Sequence, residues 1–204
     1  MNILAIGAHP DDIEIGCAGS LIKYHQRGHN IYTLIMTEGQ MGGDKNIRKK
    51  EQEKSNTIMG VNKTFWGGYK DTQLPLDTQV ISIIESVIKE IDPVFIFVSY
   101  FKDTHQDHRN LAKATISATR YIKNVLFYEV PTTHDFRPSI FVDIRDVFDQ
   151  KTEVLMAHNS QVMKTNIGDL SIIDVAQAQA GFRGIQARIK YAEGFIPQRL
   201  FINI

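Results

Sequence analysis

Hydrophobic and polar positions alternate in blocks along this chain. Asn2 to Ala8 is a continuous apolar run, the pattern of a strand buried on both faces. Gly16 to Arg27 places Cys17, Leu21, Ile22 and Tyr24 among polar neighbours and predicts a helix, with Gly28 as its stop. Asn30 to Thr37 is rich in β-branched and apolar residues and predicts strand two. Lys45 to Met59 is charged and helical, closed by Gly60, and Val61 to Trp66 is a short strand. Thr78 to Ile91 carries a helical stripe of Val80, Ile83, Ile84, Val87, Ile88 and Ile91. Pro93 to Tyr100 is the next buried strand, Asp107 to Tyr121 a helix, and Asn124 to Val130 a strand. Ile140 to Ile144 predicts a further strand. Helices follow near Arg145 to His158 and Gly168 to Gly181, and short apolar ends including Leu200 to Ile204 finish the chain.

This alternation predicts an α/β fold, a Rossmann-like three-layer α/β/α arrangement with a mostly parallel sheet. At 204 residues, with no repeat and no Pro/Gly/Ser-rich linker, a single domain over 1–204 is expected. In such sheets ligands bind outside the carboxyl ends of the strands. The chemistry is therefore sought there.

Composition narrows the classes. The 23 Lys plus Arg balance 23 Asp plus Glu, which argues against nucleic-acid binding by bulk charge. One Cys excludes an internal disulfide framework and a multi-thiolate metal site, so any metal must rest on His, Asp and Glu. The longest apolar run, Pro93 to Phe101, is too short to span a bilayer. Met1 leads directly into strand one without a leader pattern, and a cytoplasmic location is expected.

Strand one ends in Ala8-His9-Pro10-Asp11-Asp12. Neither a dinucleotide-binding glycine turn nor a P-loop is present. Adjacent carboxylates repel unless a cation or proton lies between them. Strand four leads into Asp103-Thr104-His105-Gln106-Asp107-His108. The two loops together offer His9, Asp11, Asp12, His105, Asp107 and His108. Two His and a carboxylate with one open position compose many catalytic zinc sites. The surplus carboxylate and imidazole can move protons in a hydrolysis. A phosphorelay receiver also has an acidic pair after strand one, but its acceptor Asp is missing where strand three ends in Phe65-Trp66-Gly67. Spacing alone does not say which of Asp11 and Asp12 ligates.

Ala8-His9-Pro10-Asp11-Asp12, Ile13-Glu14-Ile15-Gly16 and His105-Gln106-Asp107-His108 resemble the signature of the LmbE-like, or PIG-L, zinc-dependent de-N-acetylases. Arg48 and Glu51, Phe141 to Ile144, His158 to Gln161 and Tyr191 to Phe195 extend the resemblance over nearly the whole chain. Many members carry two glycines where this chain has Ala18-Gly19, a departure that bears on helix packing. The resemblance implies removal of the acetyl group from an N-acetylglucosamine-type sugar or a related amide. It implies His9, Asp12 and His108 as metal ligands, Asp11 as general base, and His105 as the group that stabilises or protonates the tetrahedral species. It implies that Asp107 fixes the His105 tautomer. Zn2+ is the implied metal, with Fe2+ and Co2+ compatible with the same donors. It further implies a small N-acetylated sugar or glycoconjugate as partner and a homo-oligomer (trimer or hexamer).

Weaker candidates surround this set. Arg48 and Arg137 are assigned to substrate binding. The glycine-rich loop 37–43 is placed at the pocket border, with His134 nearby and His158 without an assigned role. His29 is expected to be exposed. Cys17 reads as a small buried hydrophobe, Phe65 as core, and Trp66 and Tyr69 as either sugar-stacking or structural aromatics.

Overall fold

A computed structural model describes residues 1–202. Its backbone is one seven-stranded sheet in the order β3-β2-β1-β4-β5-β7-β6. The strands are β1 (Asn2–Gly7), β2 (Asn30–Thr37), β3 (Val61–Tyr69), β4 (Phe95–Ser99), β5 (Val125–Tyr128), β6 (Ile140–Asp143) and β7 (Ala192–Arg199). β1 to β5 run parallel, whereas β7 pairs antiparallel with both β5 and β6. The three-layer, mostly parallel architecture expected from the alternation is thus present.

The continuous apolar run of β1 has a direct cause. Ile3 and Ala5 pack into one core and Leu4 and Ile6 into the other, so successive side chains are buried on opposite faces. One face is covered by α1 (Asp12–Gln26), α2 (Lys45–Met59), α5 (Phe148–Met156) and α6 (Ile172–Ala187). The other carries α3 (Thr78–Ile91) and α4 (Gln106–Ala118), packed on each other. β2, α2 and α3 match the patterned segments end to end. Asp44 and Asp77 cap α2 and α3 through their carboxylates, and Gly60, at φ 73, ends α2 in the left-handed conformation that glycine adopts freely.

Four differences have physical reasons. Helix α1 starts at Asp12, not Gly16, because its first turn alternates the buried polar Asp12 and Glu14 with the buried Ile13 and Ile15 and so shows no one-sided helical stripe. β3 runs on to Tyr69 across a register shift opposite Ile35 and Thr37. α6 begins at Ile172, after a Ser171–Asp174 capping box, rather than at Gly168. β7 is a strand that the pattern does not predict: Glu193, Gly194 and Pro197 interrupt its apolar residues. The expected apolar end at Leu200 to Ile204 has no strand at Leu200 to Ile202, and Asn203 and Ile204 lie outside the described residues.

Two close contacts tie α1 to the sheet. A Cβ on Gly16 would lie 2.0 Å from the Tyr128 ring, whose hydroxyl donates to the Ile6 carbonyl at 2.8 Å. Glu193 of β7 accepts from Gly19 N, Ser20 N and Ser20 Oγ at 2.8, 2.8 and 2.6 Å, and from Lys151 Nζ at 2.6 Å. These bonds hold the helix whose N-terminus carries the candidate site. No helix among the described residues is long and apolar enough to cross a membrane.

Candidate active site

The strand order reverses between β1 and β4, so the loops leaving their carboxyl ends splay apart and leave a crevice. The β1 loop supplies His9, Asp11 and Asp12, and the β4 loop supplies Asp103, His105, Asp107 and His108. Asp11 is the N-cap of α1 and His105 that of α4. Asp11 holds φ 93, a left-handed backbone that is costly for a residue with a Cβ and that recurs at functional sites.

Three ligand atoms converge. His9 Nδ1 lies 3.2 Å from His108 Nε2, His108 Nε2 lies 3.2 Å from Asp12 Oδ1, and Asp12 Oδ2 lies 3.4 Å from His9 Nδ1. In a tetrahedral zinc site with bonds of about 2.0–2.1 Å, neighbouring ligand atoms stand roughly 3.3–3.4 Å apart. The contacts among His9, Asp12 and His108 are close to that length, with Asp12 meeting the two imidazoles through different carboxylate oxygens. The remaining nitrogens are oriented by carboxylates: His9 Nε2 faces Asp71 Oδ1 at 3.0 Å, and His108 Nδ1 faces Asp103 Oδ1 at 3.2 Å. Such carboxylate–histidine pairs fix the tautomer that presents a lone pair to a metal. His105 and Asp107 also come within metal-holding range of His9. However, His105 Nδ1 already accepts the Asp107 N–H at 3.2 Å. That bond uses only Nδ1, and His9, His105 and His108 also lie close enough together to hold an ion.

The electrostatics agree. Burial alone would raise Asp12, but the His108 and His9 imidazoles outweigh it and hold the carboxyl well below its ordinary range. Burial would lower His108, but Asp12 and Asp103 push it up to about 9. Burial likewise opposes the charged form of His9, yet Asp107, Asp12 and Asp71 raise it well above its usual value. Positive charge is thus favoured at this corner, whether from protons or from a metal.

Asp11 stands apart from the corner. Burial pushes its carboxyl up to about 6, against the pull of Arg48. The Arg48 guanidinium donates to Asp11 Oδ2 at 3.0 Å, to Pro10 O at 2.5 Å and to Gly39 O at 2.7 Å. Arg48 is buried, orients Asp11 and the glycine loop, and also borders the open cavity at the site. Glu51 accepts from Ser160 N and Oγ, each at 2.7 Å, and Gln161 Nε2 donates to Gly42 O at 3.3 Å. The loop 37–43 is therefore propped from behind by Arg48 and the 158–161 segment.

Other predicted residues fall differently. The Asp107 carboxylate accepts from Thr72 N at 2.7 Å and Leu74 N at 3.2 Å and faces His9 Nε2 at 3.2 Å. Its contact with the His105 ring is through the main chain, so the tautomer is set by its N–H rather than its side chain. Arg137 and His134 are exposed and line neither of the cavities at the site. His29 is half-buried rather than exposed, against the Tyr24 ring. Cys17 is buried, and burial raises its thiol well above the ordinary value. Phe65 packs as a core aromatic with Tyr69 beside it, and Trp66 joins the opposite core. Asp71 and Asp103, which face the His9 and His108 imidazoles, are the site carboxylates that pattern reading passes over. Both follow the carboxyl end of a strand, β3 and β4, and that position is the signal that could have found them.

Comparison with known proteins places this geometry. The family model of PIG-L, GlcNAc-PI de-N-acetylase, matches residues 4–119, a span that includes both loops. The deacetylase YaiS of Escherichia coli (strain K12) is 36% identical over 168 residues, covering 78% of this chain and 91% of that protein. Diacetylchitobiose deacetylase of Thermococcus kodakarensis is 31% identical over 193 residues, covering 78% of this chain and 70% of the relative. The fold matches that of the conserved protein TT1542 from Thermus thermophilus, with a TM-score of 0.89 at 24% identity over 99% of this chain and 96% of that one. By its family match and its relatives, this chain belongs to the PIG-L family and is an enzyme of the deacetylase class.

Proposed function

We propose that this chain hydrolyses the acetamide of an N-acetylglucosamine-type sugar, releasing acetate and a free amine, with Zn2+ held by His9, Asp12 and His108. The observation that carries the reading is a half-buried carboxylate, Asp11, held by Arg48 and next in sequence to Asp12 of the three-residue corner. The sugar class is supported by relatives named as diacetylchitobiose deacetylase and as probable N-acetyl-α-D-glucosaminyl L-malate deacetylase.

A bound divalent cation supplies Lewis acidity to the amide carbonyl and to the attacking water. Asp11 takes the proton from that water, and its value of about 6 leaves it ionised yet basic at neutral pH. Burial and the neighbouring His9 and His108 hold His105 below its ordinary value, so its ring is neutral. With Nδ1 accepting from Asp107 N–H, the proton resides on Nε2 and is available to the carbonyl oxygen as charge develops there. Arg48 keeps the Asp11 oxygens in register.

The test is acetate release from N-acetylglucosamine and N,N'-diacetylchitobiose by the zinc-loaded protein. Loss of release in Asp11→Asn with zinc content unchanged supports the assignment. Full activity in that variant overturns the role of the base.

A further inference from the structure

Two chambers meet at the candidate metal corner, and their chemistry differs. The first is open and polar, bordered by Met41, Gly42, Arg48, Asp71, Thr72 and His105. The second is a more enclosed cavity of about 260 Å³. Its wall is built from Ile15, Val130, Leu155, Ile167, Ile172 and Val175. Asp11, Asp12, His108 and Gln161 line both, so the corner is the doorway between them.

A scissile amide at the doorway has two substituents that leave in different directions. A sugar carries hydroxyls on nearly every carbon, and each one buried without a partner is costly. It belongs in the polar chamber. An acyl chain carries no polar group beyond its carbonyl and gains from leaving water. An acetyl group ends after one methyl and would leave most of the second chamber unfilled. Leu155, Val130 and Ile15 are its most buried apolar members, at 1%, 4% and 7% exposed, with the equally buried His158 beside them in the lining. Its polar members beyond the doorway include Thr132, His158, Lys164, Thr165 and Asn166. His158 is buried with Nε2 3.5 Å from Glu14 Oε1, and Lys164 and Asn166 are exposed.

We infer that the apolar chamber is an acyl subsite, and that the enzyme accepts N-acyl amino sugars with linear chains longer than acetyl. The inference rests on the deacylase reading given above and names the acyl half of its substrate. An apolar cavity of about 150 Å³ holds the six carbons of benzene, so this chamber takes a chain of roughly four to eight carbons. The reaction is unchanged in kind. The C–N bond breaks, the water oxygen forms the new C–O bond, both water protons end on the departing nitrogen, and the products are a fatty carboxylate and an ammonium.

The experiment uses the full, zinc-loaded chain and the series N-acetyl-, N-butyryl-, N-hexanoyl- and N-octanoylglucosamine, with released amine as the readout. Each methylene buried multiplies binding by roughly fourfold. The expected result is a kcat/KM for hexanoyl at least tenfold above acetyl. In Ile172→Trp and Val175→Trp, which fill the chamber, the hexanoyl-to-acetyl ratio should fall at least tenfold. The ratio is the readout, so a general loss of activity does not count. A second measurement is calorimetric binding of the product carboxylates, which should tighten from acetate to hexanoate in the native protein and not in the Trp variants. Acetyl turnover with a ratio at or below one overturns the acyl subsite and leaves the deacetylase reading standing. No turnover of any member overturns that reading, and the carboxylate series then decides the chamber: affinity flat with chain length overturns it.

Discussion

Arg48 holds Asp11: its Nη2 lies 3.0 Å from Oδ2, while the same guanidinium grips the carbonyls of Pro10 and Gly39. The positive charge both aims the carboxylate and offsets the upward push of burial. Arg48→Gln removes that charge but keeps an amide of similar reach. It should lower kcat/KM at neutral pH by about 10- to 100-fold and move the acid limb of the pH profile upward. A pH–rate profile of the variant with an unshifted limb would show that Arg48 acts on something other than Asp11.

The pH profile of the native protein follows from the same carboxyl. Asp11 must be ionised to take a proton, and in the metal-free chain it ionises at about 6. Activity therefore rises as pH rises through that region. A bound cation nearby favours the ionised form, so the limb of kcat/KM should lie at about 6 or lower in the loaded enzyme. A rising limb centred well above neutrality would contradict the assignment.

Metal binding should release protons. At pH 7 the metal-free corner keeps His108, at about 9, and His9, raised well above its usual value, in the protonated state. Both must become neutral to ligate. Proton release should accompany zinc binding, countable by calorimetry in buffers of different ionisation enthalpy. The sign follows: affinity weakens as pH falls and the imidazoles regain their protons.

The carboxylates behind the ligands should matter almost as much as the ligands. Asp103→Asn and Asp71→Asn leave His108 and His9 in place but weaken what orients them. Each should lower zinc affinity by about 10- to 100-fold. Competition with a chelator of known affinity measures it, and an unchanged affinity in both variants would remove them from the site.

Stability should be sensitive far from the chemistry. Glu193 and Lys151 form a pair at 2.6 Å, both nearly without solvent exposure. Glu193→Ala strands the ammonium and removes the acceptor of Gly19 N and Ser20 N. A loss of about 3–5 kcal/mol in denaturant unfolding is expected.

Much of the fold and of the metal corner is legible in the chain itself, for one reason. In β1 and β4 the pattern is uniform because both faces are buried, and the polar residues begin where the strands end. His9 to Asp12 and Asp103 to His108 therefore stand out against apolar neighbours. Residues whose partners are remote in sequence are harder to read. Asp71 meets His9 across 62 positions, and Glu193 meets Ser20 across 173, as no local pattern reports. Arg48 is visible, but amid the charged residues of α2 nothing tells a buried guanidinium from a solvated one.

The strand order sets a schedule for assembly. Among the described residues β6 has its sheet partner only in β7, the last of the seven strands to be made. A nascent chain that has delivered β1 through β6 holds every ligand-bearing loop but has no strand to join β6 to β5. Its α1 still lacks the carboxylate of Glu193. Metal capture on the ribosome should therefore lag synthesis of the ligands by most of the remaining chain. A truncation just before Ala192 would carry every ligand and still lack the strand that joins β5 to β6.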